Sequence, residues 1–300
     1  MKKWILILAV LLSVAAVLGY FFIPATVTVT KRVSLKCNTA GAFSFLQDQR
    51  QMSVWWPGHG DRLVYKGDSY RVVHLAYFNT DVRISGKWGD VESRISVLPG
   101  TGIDSTILQW ECRMKGSSYW RANKVGDNIG ELLDTAAAFL SDQKNVYATD
   151  IREGSTRDSC LAVTRVELGL YPTTKDMYAQ VDRLRAYIQQ LGARETGHPM
   201  VNVTPVMDSV RFKLMVAIPV DRDIPRNGEF YGTRLVPAKF LIADVKGGEA
   251  SVKKVIKGME DYIRDYRRTV MAIPYQSLIT ERPSQPDTTK WETRIFYPVF

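Results

Sequence analysis

Trp291-Glu292-Thr293-Arg294-Ile295-Phe296-Tyr297-Pro298-Val299 is a strand-length run that ends on a proline followed by a valine. Ala217-Ile218-Pro219-Val220 ends the same way, and Pro219 to Pro298 is a separation of 79 residues. Upstream of the shorter run, Met177, Val181, Leu184, Ile188 and Leu191 fall on one face at helical spacing. Upstream of the longer one, Val252, Val255, Ile256, Met259, Ile263 and Tyr266 repeat that arrangement. Met177 to Val252 is an offset of 75, and so is Pro199-Met200 to Pro274-Tyr275. The first helix is expected over residues 178–191, with Thr173 or Thr174 as its N-cap. Each copy reads strand, helix, strand, strand. Two copies side by side predict a pseudo-symmetric sheet with both helices on one face, and a ligand groove at their junction.

The preceding half has a different rhythm. Thr26-Val27-Thr28-Val29-Thr30 alternates at the period of a half-buried strand. Asn38-Thr39 then caps a helical segment carrying Ala40, Phe43 and Leu46, which ends at Trp55-Trp56-Pro57-Gly58. Four strand-like runs follow, over 69–78, 80–88, 90–98 and 106–114. A helix is expected over 127–142, with Ile129, Leu132, Leu133, Ala136 and Leu140 as its stripe. The class is α+β. Residues 146–156 read as a polar connector, giving domains over 25–146 and 157–300.

Residues 1–24 open with Lys2 and Lys3 and then run uncharged from Trp4 to Ile23. That length spans a bilayer, and the bulky Tyr20-Phe21-Phe22-Ile23-Pro24 end suits an interface better than a peptidase. An uncleaved transmembrane anchor is expected, with the domains on the periplasmic or other extracytoplasmic side; cleavage and secretion is the alternative. The net charge of +9 is spread through both halves, as suits a chain beside an anionic membrane. No helix-turn-helix, zinc finger or RNA-binding signature accompanies it, so nucleic acid is not an expected partner. Cys37, Cys112 and Cys160 make no CxxC, and His59, His74 and His198 lie far apart; no metal or cofactor is expected. HExxH, GxGxxG after a strand, the P-loop and GxSxG are absent, and no catalytic residue is assigned.

Two resemblances follow. The element order of residues 26–145, with a helix entering Trp55-Trp56-Pro57, resembles the helix-grip family of START-related lipid-transfer and polyketide cyclase-like proteins. That implies a curved sheet around a long helix with an apolar cavity between them. Residues 157–300 resemble the GyrI-like, effector-binding domain of multidrug-sensing regulators. The matching residues are Ala217–Val220, Val236-Pro237-Ala238-Lys239 and Trp291–Val299. That family places a buried Glu on the strand after the second helix. Here Gln276 occupies the acidic position, Leu278 the following apolar one, and Pro283 sits one residue late. A glutamine offers hydrogen bonds without charge, so the resemblance does not carry cation recognition across. Gln276, Leu278, Trp291 and Tyr275 are the expected ligand-binding residues.

The leading reading is a membrane-tethered protein that binds a small hydrophobic or amphipathic ligand and senses or carries it, without a DNA-binding segment. A hydrolase or cyclase acting on a hydrophobic metabolite is the alternative, with His74, Glu92, Glu111 and Glu292 as its polar groups. A protein-interaction scaffold is the third.

Overall fold

The computed structural model describes residues 13–14 and 25–299, apart from residues 59, 61, 88, 117–118, 157–158 and 208–209. The anchor expected over residues 1–24 and the side chain of His59 therefore lie outside the described residues. Among those described, no helix is long and apolar enough to cross a membrane. The chain divides into a first unit ending at Asp142 and a second beginning at Gln143.

The first unit is one antiparallel sheet of six strands with a long helix packed on it. Strand β1 (Thr26–Leu35) leads into two short helices, α1 (Thr39–Ser44) and α2 (Gln49–Ser53). Asn38 caps α1 by accepting from the Ala40 N–H, and Asp48 caps α2 by accepting from Gln51. The expected single helical segment is thus two, each with its own cap. The strands β2 (Leu63–Tyr65), β3 (Asp68–Ala76), β4 (Asn79–Gly86), β5 (Gly89–Pro99) and β6 (Thr106–Lys115) form a meander, and β1 closes the order as β1-β6-β5-β4-β3-β2. Helix α3 (Tyr119–Leu140) starts eight residues before the expected 127 and packs its apolar stripe on β1 and β6. Trp55, Trp56, Tyr70 and Trp110 are all buried. Their rings form a chain, Trp55 to Trp56 to Tyr70 to Trp110, at centroid distances of 5.4, 4.9 and 6.0 Å. Both tryptophans after α2 have satisfied indoles, Trp55 on the Phe45 carbonyl and Trp56 on that of Val64. Both side chains are therefore part of the first unit's buried core.

In the second unit the repeat is visible in the residue numbers. Its first copy is β8 (Ser159–Leu168), α5 (Thr174–Gln190), β9 (Met200–Pro205) and β10 (Phe212–Val220). Its second is β12 (Lys239–Lys246), α6 (Glu249–Asp265), β13 (Tyr275–Leu278) and β14 (Glu292–Val299). Both helices span 17 residues and start 75 apart, at Thr174 and Glu249. The sheet order is β11-β8-β10-β9-β13-β14-β12-β7, with β9 and β13 paired across the pseudo-axis and β11 (Tyr231–Leu235) at one edge. The other edge corrects the sequence reading. The supposed connector is a short helix, α4 (Gln143–Tyr147), followed by β7 (Arg152–Ser155), which pairs with β12. Tyr147 is buried in the core under α6. A polar composition concealed this because an edge strand needs backbone pairing, not apolar side chains.

Both helices cover one face of the sheet. Alternation assigns Val201, Val216 and Ile218 to the layer under α5, and Leu241, Ala243, Ile295 and Tyr297 to the layer under α6. Burying each of the Val, Leu and Ile side chains among these contributes about 1.5–3 kcal/mol.

Candidate functional site

The residues of opposite parity point to the face without helices. Register runs Tyr231, Val163, Ala217, Met200 and Ser277 across five strands, and Met215, Asn202, Tyr275, Phe296 and Ile242 across the adjacent row. Leu161, Val163, Met200 and Ala217 make a buried apolar cluster there, with Met215, Tyr231, Leu235 and Tyr275 packed against it. Beside it, Tyr275 stacks on Phe296 at 4.7 Å, and Phe240 meets both rings edge-on at 5.9 Å. The polar groups are few. Burial pushes the Tyr275 phenol well above its ordinary pKa, so it stays a neutral hydroxyl. Tyr231 Oη is buried with no hydrogen-bond partner among the described residues, while Arg165 lies 5.0 Å from the centre of its ring. The carboxylates at the ends of these rows already have cations: Asp244 holds Arg294 at 2.5 Å and Arg152 at 3.0 Å, and Glu167 holds Arg211 at 3.1 Å.

The four expected ligand residues do not converge. Tyr275 lies on this helix-free face. Gln276 and Leu278 lie on the helix side: Gln276 pairs with Val201 and Ile295, and Leu278 belongs to the core under α5 at 1% exposure. The physical reason is alternation, since residues one apart on a strand face opposite ways. Trp291 precedes β14 and lines a separate cavity beside the start of α6, its indole donating to the Gln285 carbonyl at 2.7 Å. Glu292 is exposed and paired with Lys246 at 3.1 Å. Phe240, Phe296, Met200 and Met215 share this face with Tyr275 and were not among the expected ligand residues. The parity of Phe296 against Ile295 and Tyr297 was the signal that could have found them.

The first unit does gather its polar candidates. His74, Asp81, Arg83, Glu92, Arg94, Glu111 and Arg113 line a groove of about 490 Å³ on the sheet's outer face. A bulge between Val72 and His74 aims His74 at Asp81, whose carboxylate lies 3.5 Å from Nδ1. Arg94 donates to the same carboxylate at 2.6 Å and holds its pKa below the usual range. Every carboxylate in this ladder has a cation as its cross-strand neighbour, which is how an exposed charged sheet face is stabilised. The three cysteines are free thiols, with Cys37 and Cys112 buried.

No protein-family model matches the chain, and no curated protein does. Solved structures resemble parts of it. The EcmrR C-terminal domain is similar at a TM-score of 0.44 and 12% identity, over 51% of this chain and 98% of that one. SAV2435, solved bound to tetraphenylphosphonium, is similar at 0.33 and 14% identity, over 50% of this chain and 94% of that one. CalU16 from Micromonospora echinospora is similar at 0.32 and 14% identity, over 53% and 84%.

Proposed function

We propose that the second unit binds a small, uncharged, apolar or amphipathic molecule on the helix-free face of its sheet. The observation that carries this reading is the aromatic and thioether cluster of Tyr231, Met215, Met200, Tyr275, Phe296 and Phe240 on the face opposite the one packed by α5 and α6, with Met200 and Phe240 buried within it. Rings and thioethers supply contact area, and Tyr231 Oη offers an unused hydrogen bond. Among the described residues Asp244 and Glu167 of this face are already paired with cations, and a buried cation is costly without a free anion to receive it. In the fuller form of the proposal the chain is a sensor or carrier tethered through residues 1–24, outside the cytoplasm.

The test is fluorescence titration of the full chain with N-phenylnaphthylamine, an uncharged aromatic probe, beside tetraphenylphosphonium as a cationic competitor. Saturable uptake of the neutral probe is expected, weakened at least about tenfold by Tyr275→Ala or Met215→Lys and poorly displaced by the cation. Uptake that both substitutions leave unchanged, with the fold intact by circular dichroism, refutes the site.

A further inference from the structure

The segment that joins α6 to β13 reads Arg267-Arg268-Thr269-Val270-Met271-Ala272-Ile273. Its last four residues are all exposed, Val270, Met271 and Ile273 at 41%, 51% and 53%. A run of four exposed apolar residues is uncommon on a protein surface and calls for a partner. The repeat supplies the control. The same turn 75 residues earlier carries Glu195-Thr196-Gly197-His198. Both turns are pinned to the sheet in the same way. Glu195 bridges Val220, and the Thr196 N–H donates to the Pro219 carbonyl at 2.9 Å. Val270 bridges Val299, and the Met271 N–H donates to the Pro298 carbonyl at 3.1 Å. One backbone arrangement thus serves a polar sequence and an apolar one, so the fold does not require the apolar side chains of Val270 to Ile273.

The residues before the run differ between the copies in a second way. Each helix is followed by a left-handed residue, Gly192 at φ 64° after α5 and Arg267 at φ 53° after α6. Glycine takes that conformation freely and arginine does not. The second copy therefore holds a strained backbone position that sets a cation beside the apolar run. Arg267 is exposed and has no ion pair among the described residues, whereas its neighbours are matched. Arg264 pairs with Asp261 at 2.6 Å and Asp265 at 3.3 Å, and Arg268 pairs with Glu153. Lys239 is a second exposed cation without an ion pair among the described residues. It pairs with Val299 from the side opposite Val270, so it stands two strand spacings, about 10 Å, from the run. Because β9 runs antiparallel to β13, the hairpin from Pro205 to Phe212 reaches this same end of the sheet, and its Met207 and Val210 are almost fully exposed.

We infer that this end of the second unit docks on an anionic lipid bilayer, with Met271 and Ile273 entering the headgroup layer and Arg267 and Lys239 meeting lipid phosphates. An apolar tip with unmatched cations around it is what such a surface attracts. A second copy fits less well. An isologous contact over the run would bring the unmatched cations of both copies together while the nearby carboxylates are already paired. Four side chains also fall short of the about 800 Å² that each partner gives to a stable protein interface. The inference needs neither the aromatic face of the sheet nor a span formed by residues 1–24.

The experiment places a nitrobenzoxadiazole probe on the full chain at Ala272→Cys, in a Cys160→Ser background because Cys37 and Cys112 are buried. The control carries the probe at Thr196→Cys, in the corresponding turn of the first copy. Vesicles of equal phosphatidylglycerol and phosphatidylcholine should shift the emission of the probe at 272 to the blue, and nitroxides on the lipid chains should quench it, while the probe at 196 stays in water. Arg267→Gln with Lys239→Gln should raise the lipid concentration at half-maximal shift by about tenfold or more, as should vesicles of phosphatidylcholine alone. A probe at 272 that stays in water on the anionic vesicles, that responds equally to neutral ones, or that is matched by the probe at 196 overturns the proposal. So does a blue shift that grows with protein concentration in the absence of lipid, which assigns the run to a second copy.

Discussion

Gly258→Ala sets helix propensity against packing, and the two predict opposite signs. Gly258 lies inside α6, where alanine is favoured by about 1 kcal/mol on propensity alone. A Cβ at this position would stand 1.8 Å from the carbonyl oxygen of Tyr147 and 2.6 Å from its carbonyl carbon. Those are backbone atoms of α4, so no rotamer relieves the overlap and α4 must withdraw. Withdrawal uncovers Tyr147, which is 3% exposed, packs on Tyr262 at 5.2 Å and donates to Asp265 at 3.2 Å. Loss of a buried aromatic side chain costs about 3–5 kcal/mol. The lower figure less the propensity gain leaves a net destabilisation of about 2 kcal/mol. The assay is urea unfolding of the full chain followed by circular dichroism, with Gly130→Ala as the control. A Cβ at Gly130 in α3 meets nothing closer than Lys31 Cδ at 3.9 Å, so that change should stabilise by up to about 1 kcal/mol. If Gly258→Ala stabilises in step with Gly130→Ala, the close approach of α4 and α6 is not as described, and the reasoning fails.

Two further outcomes are expected. Arg121 and Asp68 form a largely buried pair at 3.4 Å, with side-chain exposures of 8% and 12%, and Arg121 also donates to the Gly89 carbonyl. Arg121→Met strands the Asp68 carboxylate and should cost about 3–5 kcal/mol in urea unfolding, while adding Asp68→Leu should recover most of it; a double variant no better than the single contradicts the pairing. Burial pushes the Cys112 thiol up to about 12 and encloses Cys37, whereas Cys160 is partly exposed. Ellman's reagent at pH 8 should therefore titrate one thiol in the native chain and three in guanidinium, and three reactive native thiols would show that the first unit's core is open.

The repeat was legible because its evidence is local. Apolar spacing marks both helices, Thr173 stands where a cap is needed, and the offset of 75 links the two helices and the strands that follow them. What escaped reading is what depends on distant partners. Arg152–Ser155 carries no strand signal, and becomes a strand only because β12 presents an open edge to it. Val146, Tyr147 and Ile151 are the larger apolar marks of the α4 region, too few to show a period. Arg282 is plain as a charge in the sequence, but its burial follows from Tyr178 on α5 and from Trp291 and Thr293 at the start of β14 arriving around it. Gln276 was placed in a ligand site by resemblance alone, and the parity of its strand sends it to the helix side.

Parity also sets what each face of β14 carries. On β14, Thr293 faces the helices and accepts the one hydrogen bond from the Arg282 side chain, while Phe296 faces the other way and stacks on Tyr275. The same strand thus meets a buried arginine on one face and carries an aromatic cluster on the other. A slip of one residue in the pairing of β14 would exchange the faces, placing Phe296 under α6 and Thr293 among the rings. The register is held against that slip from both sides: Ile295, Tyr297 and Val299 are buried with α6, and Arg294 is matched to Asp244 on the opposite face. The pattern that specifies the fold is therefore the one that keeps the aromatic cluster clear of the helix side.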